Sequence, residues 1–307
     1  MSTATVHTIA PPAEAGAGTV FTLLAALGFA AVSTLTSIAT GEGVSLAVVL
    51  MWRYVIGAAV MVLFVGTRNY PRMPWREAVR WIVLGGGGQA LLVGMALSSL
   101  RYLSVATLAF LFYTYPAWVT LVQTLRGAER ITGRRAAALA LSFGGIVVIY
   151  AAPVAGGPRA SSLALPGVAL ALGAAVVYGL YIPLMQWMQK SHPIAVTSAY
   201  AKIGSAFCFL ALALKDQSLT AHFSSTAWGA IVALALFSTV LPAVFFLMGL
   251  MRLGPVRTAI VSTVEPFLTA VLGAIVLGQA AGANVLLGGA MIVAAVVLLQ
   301  FRRERVA

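Results

Sequence analysis

The sequence predicts an all-α membrane protein: ten transmembrane helices arranged as a 5+5 inverted-topology repeat, with both termini cytoplasmic. Three observations carry that prediction. The chain of 307 residues is 61% hydrophobic and only 8% charged, with a mean hydropathy of +0.99. Soluble domains carry roughly 25% charged residues, so a bilayer must solvate most of this surface. The stretch from Leu97 to Ile149 recurs 150 positions later, from Leu247 to Leu299. The basic residues fall mostly on one side of the spans that the apolar runs define.

A span needs roughly 20 apolar residues, and ten candidates follow in order, at about 19–40, 46–66, 77–98, 103–124, 134–151, 164–187, 194–214, 226–249, 256–277 and 282–300. The breaks between them are short and rich in turn or polar residues, such as Gly41-Glu42-Gly43 and Ser191-His192-Pro193. No gap leaves room for a soluble domain. The expected organisation is a flexible leader over 1–18, a first five-helix repeat over 19–151 and a connecting loop over 152–163. A second, inverted repeat covers 164–300, and a basic tail covers 301–307. The leader contains Pro11-Pro12 and no Lys or Arg, so it lacks the basic start of a cleaved signal peptide.

Orientation follows from charge. With a cytoplasmic N-terminus, fourteen of the nineteen Lys and Arg residues lie in cytoplasmic segments, including Arg126, Arg130, Arg134 and Arg135. The opposite side holds Arg101, Arg159 and Lys215, while Arg53 and Lys202 lie within spans. The net charge of +12 is therefore a topology signal, spread through short loops, and not a nucleic-acid surface. The single cysteine, Cys208, excludes an intrachain disulfide, and its apolar setting predicts a small buried hydrophobe. No His, Cys or carboxylate spacing suggests a metal, no nucleophile–base set suggests an enzyme, and no cofactor is expected.

Sliding the copies over one another aligns Leu100 with Leu250, Ala109 with Ala259, Pro116 with Pro266 and Glu129 with Gln279. Leu27-Gly28 resembles Leu172-Gly173, and Ile56-Gly57 resembles Ile203-Gly204, so the unit has five helices. Five is odd, and the second copy must enter the membrane from the opposite side. The basic loop Glu129 to Arg135 is matched by the uncharged Gln279 to Val285, as inversion requires. Two similar halves facing opposite ways can exchange conformations, which is the physical basis of alternating access.

Several residues then become site candidates. Pro116 and Pro266 are expected mid-helix, each removing a backbone hydrogen bond, as cavity-side kinks or hinges. Glu265 is a carboxylate near the middle of its span; it can hold a substrate ammonium, carry a coupling proton, or pair with a buried cation such as Lys202. Arg53 and Lys202 can each bind a substrate carboxylate, or snorkel to an interface. Tyr115, Tyr178, Tyr181 and Trp52 offer aromatic walls. Trp75, Trp81, Trp187 and Trp228, near span ends, fit an interfacial belt. Gly85 to Gly88 open the third helix and allow a close approach or a bend; Gln89, next to them, is a substrate contact or an interhelix hydrogen-bonding group.

The pieces Tyr115-Pro116 with Glu129-Arg130-Ile131-Thr132, and Glu265-Pro266-Phe267 with Leu277-Gly278-Gln279, resemble the EamA branch of the drug/metabolite transporter superfamily. Two departures stand out: Gln279 replaces the usual Glu, and Val32-Ser33-Thr34 occupies the region of a common first-helix tryptophan. The resemblance implies a secondary transporter in the bacterial inner membrane. It is similar in particular to the aromatic-amino-acid exporters, where an aromatic precedes the fourth-helix proline and another lies in the sixth helix, the places of Tyr115 and Tyr178. It implies amino acids as substrates, held near the midplane between the repeats, with energy from the substrate gradient alone or coupled to a proton. A multidrug or other small-metabolite exporter of the same fold is the alternative.

Overall fold

The computed structural model describes residues 12–300 apart from 69, 100, 104, 130, 152–164, 190–191, 216–221 and 278–282. Every regular element among the described residues is a helix. The first half comprises α1 (Pro12–Gly41), α2 (Leu46–Gly66), α3 (Trp75–Arg80), α4 (Gly88–Ser99), α5 (Val105–Phe112), α6 (Tyr115–Leu125) and α7 (Gly133–Ala151). The second comprises α8 (Leu165–Gln189), α9 (Ile194–Lys215), α10 (Ser225–Ala235), α11 (Leu241–Leu253), α12 (Pro255–Ser262), α13 (Glu265–Leu277) and α14 (Ala283–Gln300). A π-helical segment, Trp81–Gly87, joins α3 to α4, and another, Leu236–Val240, joins α10 to α11.

Among the described residues, seven helices are long and apolar enough to cross a membrane: Ala15–Gly41, Leu46–Gly66, Trp75–Ser99, Leu165–Gln189, Ile194–Lys215, Ser225–Leu253 and Pro255–Val276. Ala283–Leu298 is apolar but shorter. Leu63, Phe207, Ile275 and Leu286 are among many large apolar side chains exposed on the outside. On a soluble protein that surface would aggregate; here it faces lipid.

The repeat is visible in the elements. α5, α6 and α7 begin 150 positions before α12, α13 and α14. The halves are interlocked. The first helix of each packs on the other half: α1 against α10, α11, α12 and α13, and α8 against α4, α5 and α6. α2 packs on α9, and α7 on α14. Small residues permit these crossings. A side chain at Gly145 would meet the Gly288 carbonyl at 2.6 Å, and one at Gly288 would meet the Gly145 carbonyl at 2.4 Å. Asn284 Nδ2 adds a 2.9 Å bond to the Ile149 carbonyl at the same crossing.

Several expectations change. α1 already covers Pro12 to Gly18, within the stretch expected as leader. The glycine run lies in the middle of the Trp75–Ser99 rod, not at its opening. Trp81 is 2% exposed and packs over Gly85, so it belongs to the core and not to a belt. Trp75 and Trp187 are exposed, as a belt requires. Cys208 is exposed beside Phe207 on α9, where burial was expected. In a chain solvated by lipid, an apolar run does not distinguish the core from the outer face. The tail at 301–307, the whole of the connecting loop and Gln279 lie outside the described residues.

Candidate functional site

Two helices are interrupted at matching positions. α5 ends at Phe112 and α6 starts at Tyr115; α12 ends at Ser262 and α13 starts at Glu265. Pro116 and Pro266 occupy the second residue of α6 and α13. At the expected mid-helix kink the helical hydrogen bonding tightens into a turn at residues 113–114 and 263–264, just ahead of each proline, with Thr114 and Thr263 still in the right-handed helical region and Pro255–Val276 still one apolar rod. The reason is local: proline is compatible with a first helical turn but not with the interior. A threonine hydroxyl caps each broken end, Thr114 onto the Leu111 carbonyl at 2.7 Å and Thr263 onto Ile260 at 2.6 Å.

Tyr115 and Glu265, equivalent under the 150-residue shift, therefore both stand at the start of a half-helix. The Tyr115 hydroxyl donates to the Ala259 carbonyl at 3.3 Å and lies beside Ser262, so α6 is tied to α12. The Tyr113 hydroxyl is within hydrogen-bonding reach of the Glu265 carboxylate, tying the first break to the second. Glu265 is only partly buried, and it sits in the first turn of α13, where the helix dipole favours negative charge.

Aromatic rings surround this junction. Tyr178 of α8 lies 4.6 Å from Tyr115, 5.6 Å from Phe112, 6.4 Å from Tyr181 and 6.5 Å from Phe246, centroid to centroid. Tyr115 is 1% exposed, whereas Tyr178 retains partial access. Arg53 lies within electrostatic reach of Glu265 and of Lys202, and both cations sit over the Tyr54 ring, at 5.3 and 5.4 Å. One carboxylate, two bases and a ring cluster thus share the space between the halves.

The bases also anchor the π segments. Arg53 Nε donates to the Thr239 hydroxyl and Nη2 to the Ser238 carbonyl at 3.0 Å. Lys202 Nζ donates to Gln89 Oε1 at 3.0 Å, and Ser205 Oγ to the Gly86 carbonyl at 3.1 Å. Gln89 and Thr239 are 150 positions apart, so each half sends a base to the same point of the other half. The backbone can approach this closely because a side chain at Gly204 would meet the Ile82 carbonyl at 2.1 Å. In lipid these carbonyls have no water to turn to, and side-chain donors replace it.

The expected residues divide accordingly. Tyr115, Tyr178 and Glu265 come together at the junction. Tyr181 joins the ring cluster, but its hydroxyl is committed to the Gly85 carbonyl at 2.8 Å. Gln89 accepts from Lys202, an interhelix contact that gives Lys202 a partner other than Glu265. Arg53 is 6% exposed and does not snorkel. Trp52 lies in another cluster, edge-on to Trp228 at 5.1 Å, with Phe223 against that partner. Sequence reasoning missed Ser205, Ser238 and Thr239. Their signal was position: Ser205 stands three residues after Lys202, and Ser238-Thr239 stand 150 positions after Gly88-Gln89.

The EamA-like transporter family matches residues 16–151 and again residues 165–301. The protein belongs to the EamA-like transporter family. The two matches coincide with the interlocked halves, and the family consists of transporters, not enzymes. This EamA-like protein is therefore a multi-pass membrane transporter of small molecules. A solved structure described only as "Crystal structure of protein" superposes with a TM-score of 0.80 over 92% of this chain and 96% of its own, at 21% identity. At that identity the likeness is one of fold. Among curated proteins, none matches the chain.

Proposed function

We propose that this EamA-like protein exports amino acids, aromatic ones preferred, across the bacterial inner membrane. The reading assigns it ten spans as two inverted sets of five, both termini cytoplasmic, working by alternating access. Substrate lies near the midplane between the repeats, driven by its own gradient or by coupling to a proton.

The observation that carries the proposal is the placement of Glu265, Arg53 and the Tyr115–Tyr178 ring pair around one junction. An α-amino acid is a zwitterion. Its ammonium matches Glu265, its carboxylate matches Arg53, and an aromatic side chain matches the rings, which favour offset or edge-on contacts. Half-helix starts on both sides supply backbone dipoles of the kind that discontinuous transporter helices offer to substrates. An apolar cation would need a lone acid, but Arg53 accompanies Glu265, so the multidrug reading fits less well. Uptake of labelled phenylalanine and threonine into proteoliposomes tests the proposal. Saturable flux, stronger for phenylalanine, is the expected result; no saturable flux of any amino acid sinks it.

A further inference from the structure

We propose that the outward-facing groove between α6 and α7 holds one acyl chain of an anionic phospholipid, with its headgroup phosphate among Arg134, Arg135 and Arg257. The inference rests on the membrane placement of the protein and is independent of what it transports.

The groove has a volume of about 530 Å³ and an almost wholly apolar lining, including Ala117, Leu139, Ala140 and Phe143. Ala117, Ile131, Ala136, Ala140 and Phe143 are exposed, so the groove opens on the outside of the bundle, where lipid chains lie. Along α7 it runs from Arg135 to Ile146. At 1.5 Å per helical residue that is roughly 16 Å, about the thickness of one leaflet's hydrocarbon. Its inner end is closed by Tyr113, Thr114 and Thr263, the residues of the helix breaks.

The outer end is charged. Arg135 lines it, and Arg257 at the start of α12 is within electrostatic reach of Arg134, Arg135 and Glu129. Glu129 contacts Arg135 Nη1 at 2.5 Å and offsets one charge. Three guanidiniums against one carboxylate leave a positive excess at the depth where a lipid phosphate sits. Zwitterionic headgroups carry their own cation and cancel the attraction; anionic headgroups keep it. Basic residues near a membrane surface attract anionic lipid at about 1 kcal/mol each. Cluster and groove therefore select a lipid with a net negative headgroup and a single chain directed inward.

Native mass spectrometry of the full-length protein in detergent, titrated with phosphatidylglycerol or phosphatidylcholine of identical chains, tests this. Phosphatidylglycerol should bind roughly tenfold more tightly. Arg134→Gln with Arg257→Gln should bring the ratio near one, and Ala140→Trp, which fills the groove, should weaken both lipids. Equal binding of the two lipids by the wild-type protein overturns the proposal without recourse to any variant. Unchanged phosphatidylglycerol binding in Ala140→Trp also overturns it. So does displacement of the lipid by free phenylalanine, which would make the groove a substrate portal.

Discussion

Arg53 of α2 places its Nε hydrogen on the hydroxyl of Thr239, inside the π-helical turn that joins α10 to α11. The same hydroxyl donates onward to the Leu234 carbonyl at 2.8 Å. The guanidinium is thus wired into the backbone of a helix from the other half. Removing the hydroxyl leaves a buried cation short of one acceptor. Thr239→Val should lower stability by about 1.5–3 kcal/mol, the range for hydrogen bonds to charged groups. Thermal unfolding in detergent measures this, with Thr239→Ser as the variant that retains the bond. Equal midpoints for Thr239→Val and the wild type would contradict it.

Lys202 and Gln89 form the counterpart contact. Each single change, Lys202→Met or Gln89→Leu, strands the other partner in a buried setting. The double variant strands neither. A double-mutant cycle should give a coupling energy of about 0.5–3 kcal/mol, whereas additive losses would show that the two side chains do not depend on one another.

Gly86 and Gly204 bring α9 and the first π segment into backbone contact. A side chain at Gly86 would meet the Ala201 carbonyl at 2.5 Å. Gly86→Ala should destabilise by about 1–3 kcal/mol, because the obstacle is backbone and cannot rotate away. Gly94 is the control, since a methyl group there would meet nothing within 4 Å: Gly94→Ala should be neutral or slightly stabilising. Melting temperatures of the two variants separate local packing from a general intolerance of alanine.

Much of this architecture could be read from the sequence, and the exceptions have physical causes. The 150-residue shift located the paired α5–α6 and α12–α13 breaks, because proline punctuates a helix wherever it falls. It did not reveal that the regular helix ends four residues earlier, at Phe112 and Ser262, since Thr114 and Thr263 act as caps only once the chain has folded. Tyr115, Tyr178 and Glu265 could be singled out as candidates because a carboxylate and paired aromatics beside a helix proline are costly or distinctive in lipid. Trp52 was not distinguishable from them, because an aromatic against another tryptophan has the same local sequence signature. Cys208 and Trp81 were misplaced for the same reason in opposite directions: in a lipid-solvated chain, hydrophobicity does not report burial. The π segments were invisible to periodicity, though Gly85 to Gly88 marked where one of them lies.

The ring cluster makes a selective prediction. Tyr178→Ala removes the ring that touches Tyr115, Phe112, Tyr181 and Phe246. Aromatic pairs contribute about 0.5–1.5 kcal/mol beyond burial, so the KM for phenylalanine should rise roughly 2- to 10-fold, with a smaller change for threonine. Tyr178→Phe should restore the wild-type value. Equal effects on both substrates would indicate a structural and not a recognition role for the ring.

In the proposed function, Glu265 and Arg53 read the two charges of an amino acid while the rings read its side chain. Competition in a proteoliposome flux assay tests it most directly, using labelled phenylalanine against phenylalanine, phenylpropionate, which lacks the ammonium, and phenethylamine, which lacks the carboxylate. Flux should be saturable and inhibited by phenylalanine, and at least about tenfold less well by either truncated compound, since each leaves one charged group of the site unpaired. Equal inhibition by phenethylamine and phenylalanine, or no saturable phenylalanine flux, would contradict it.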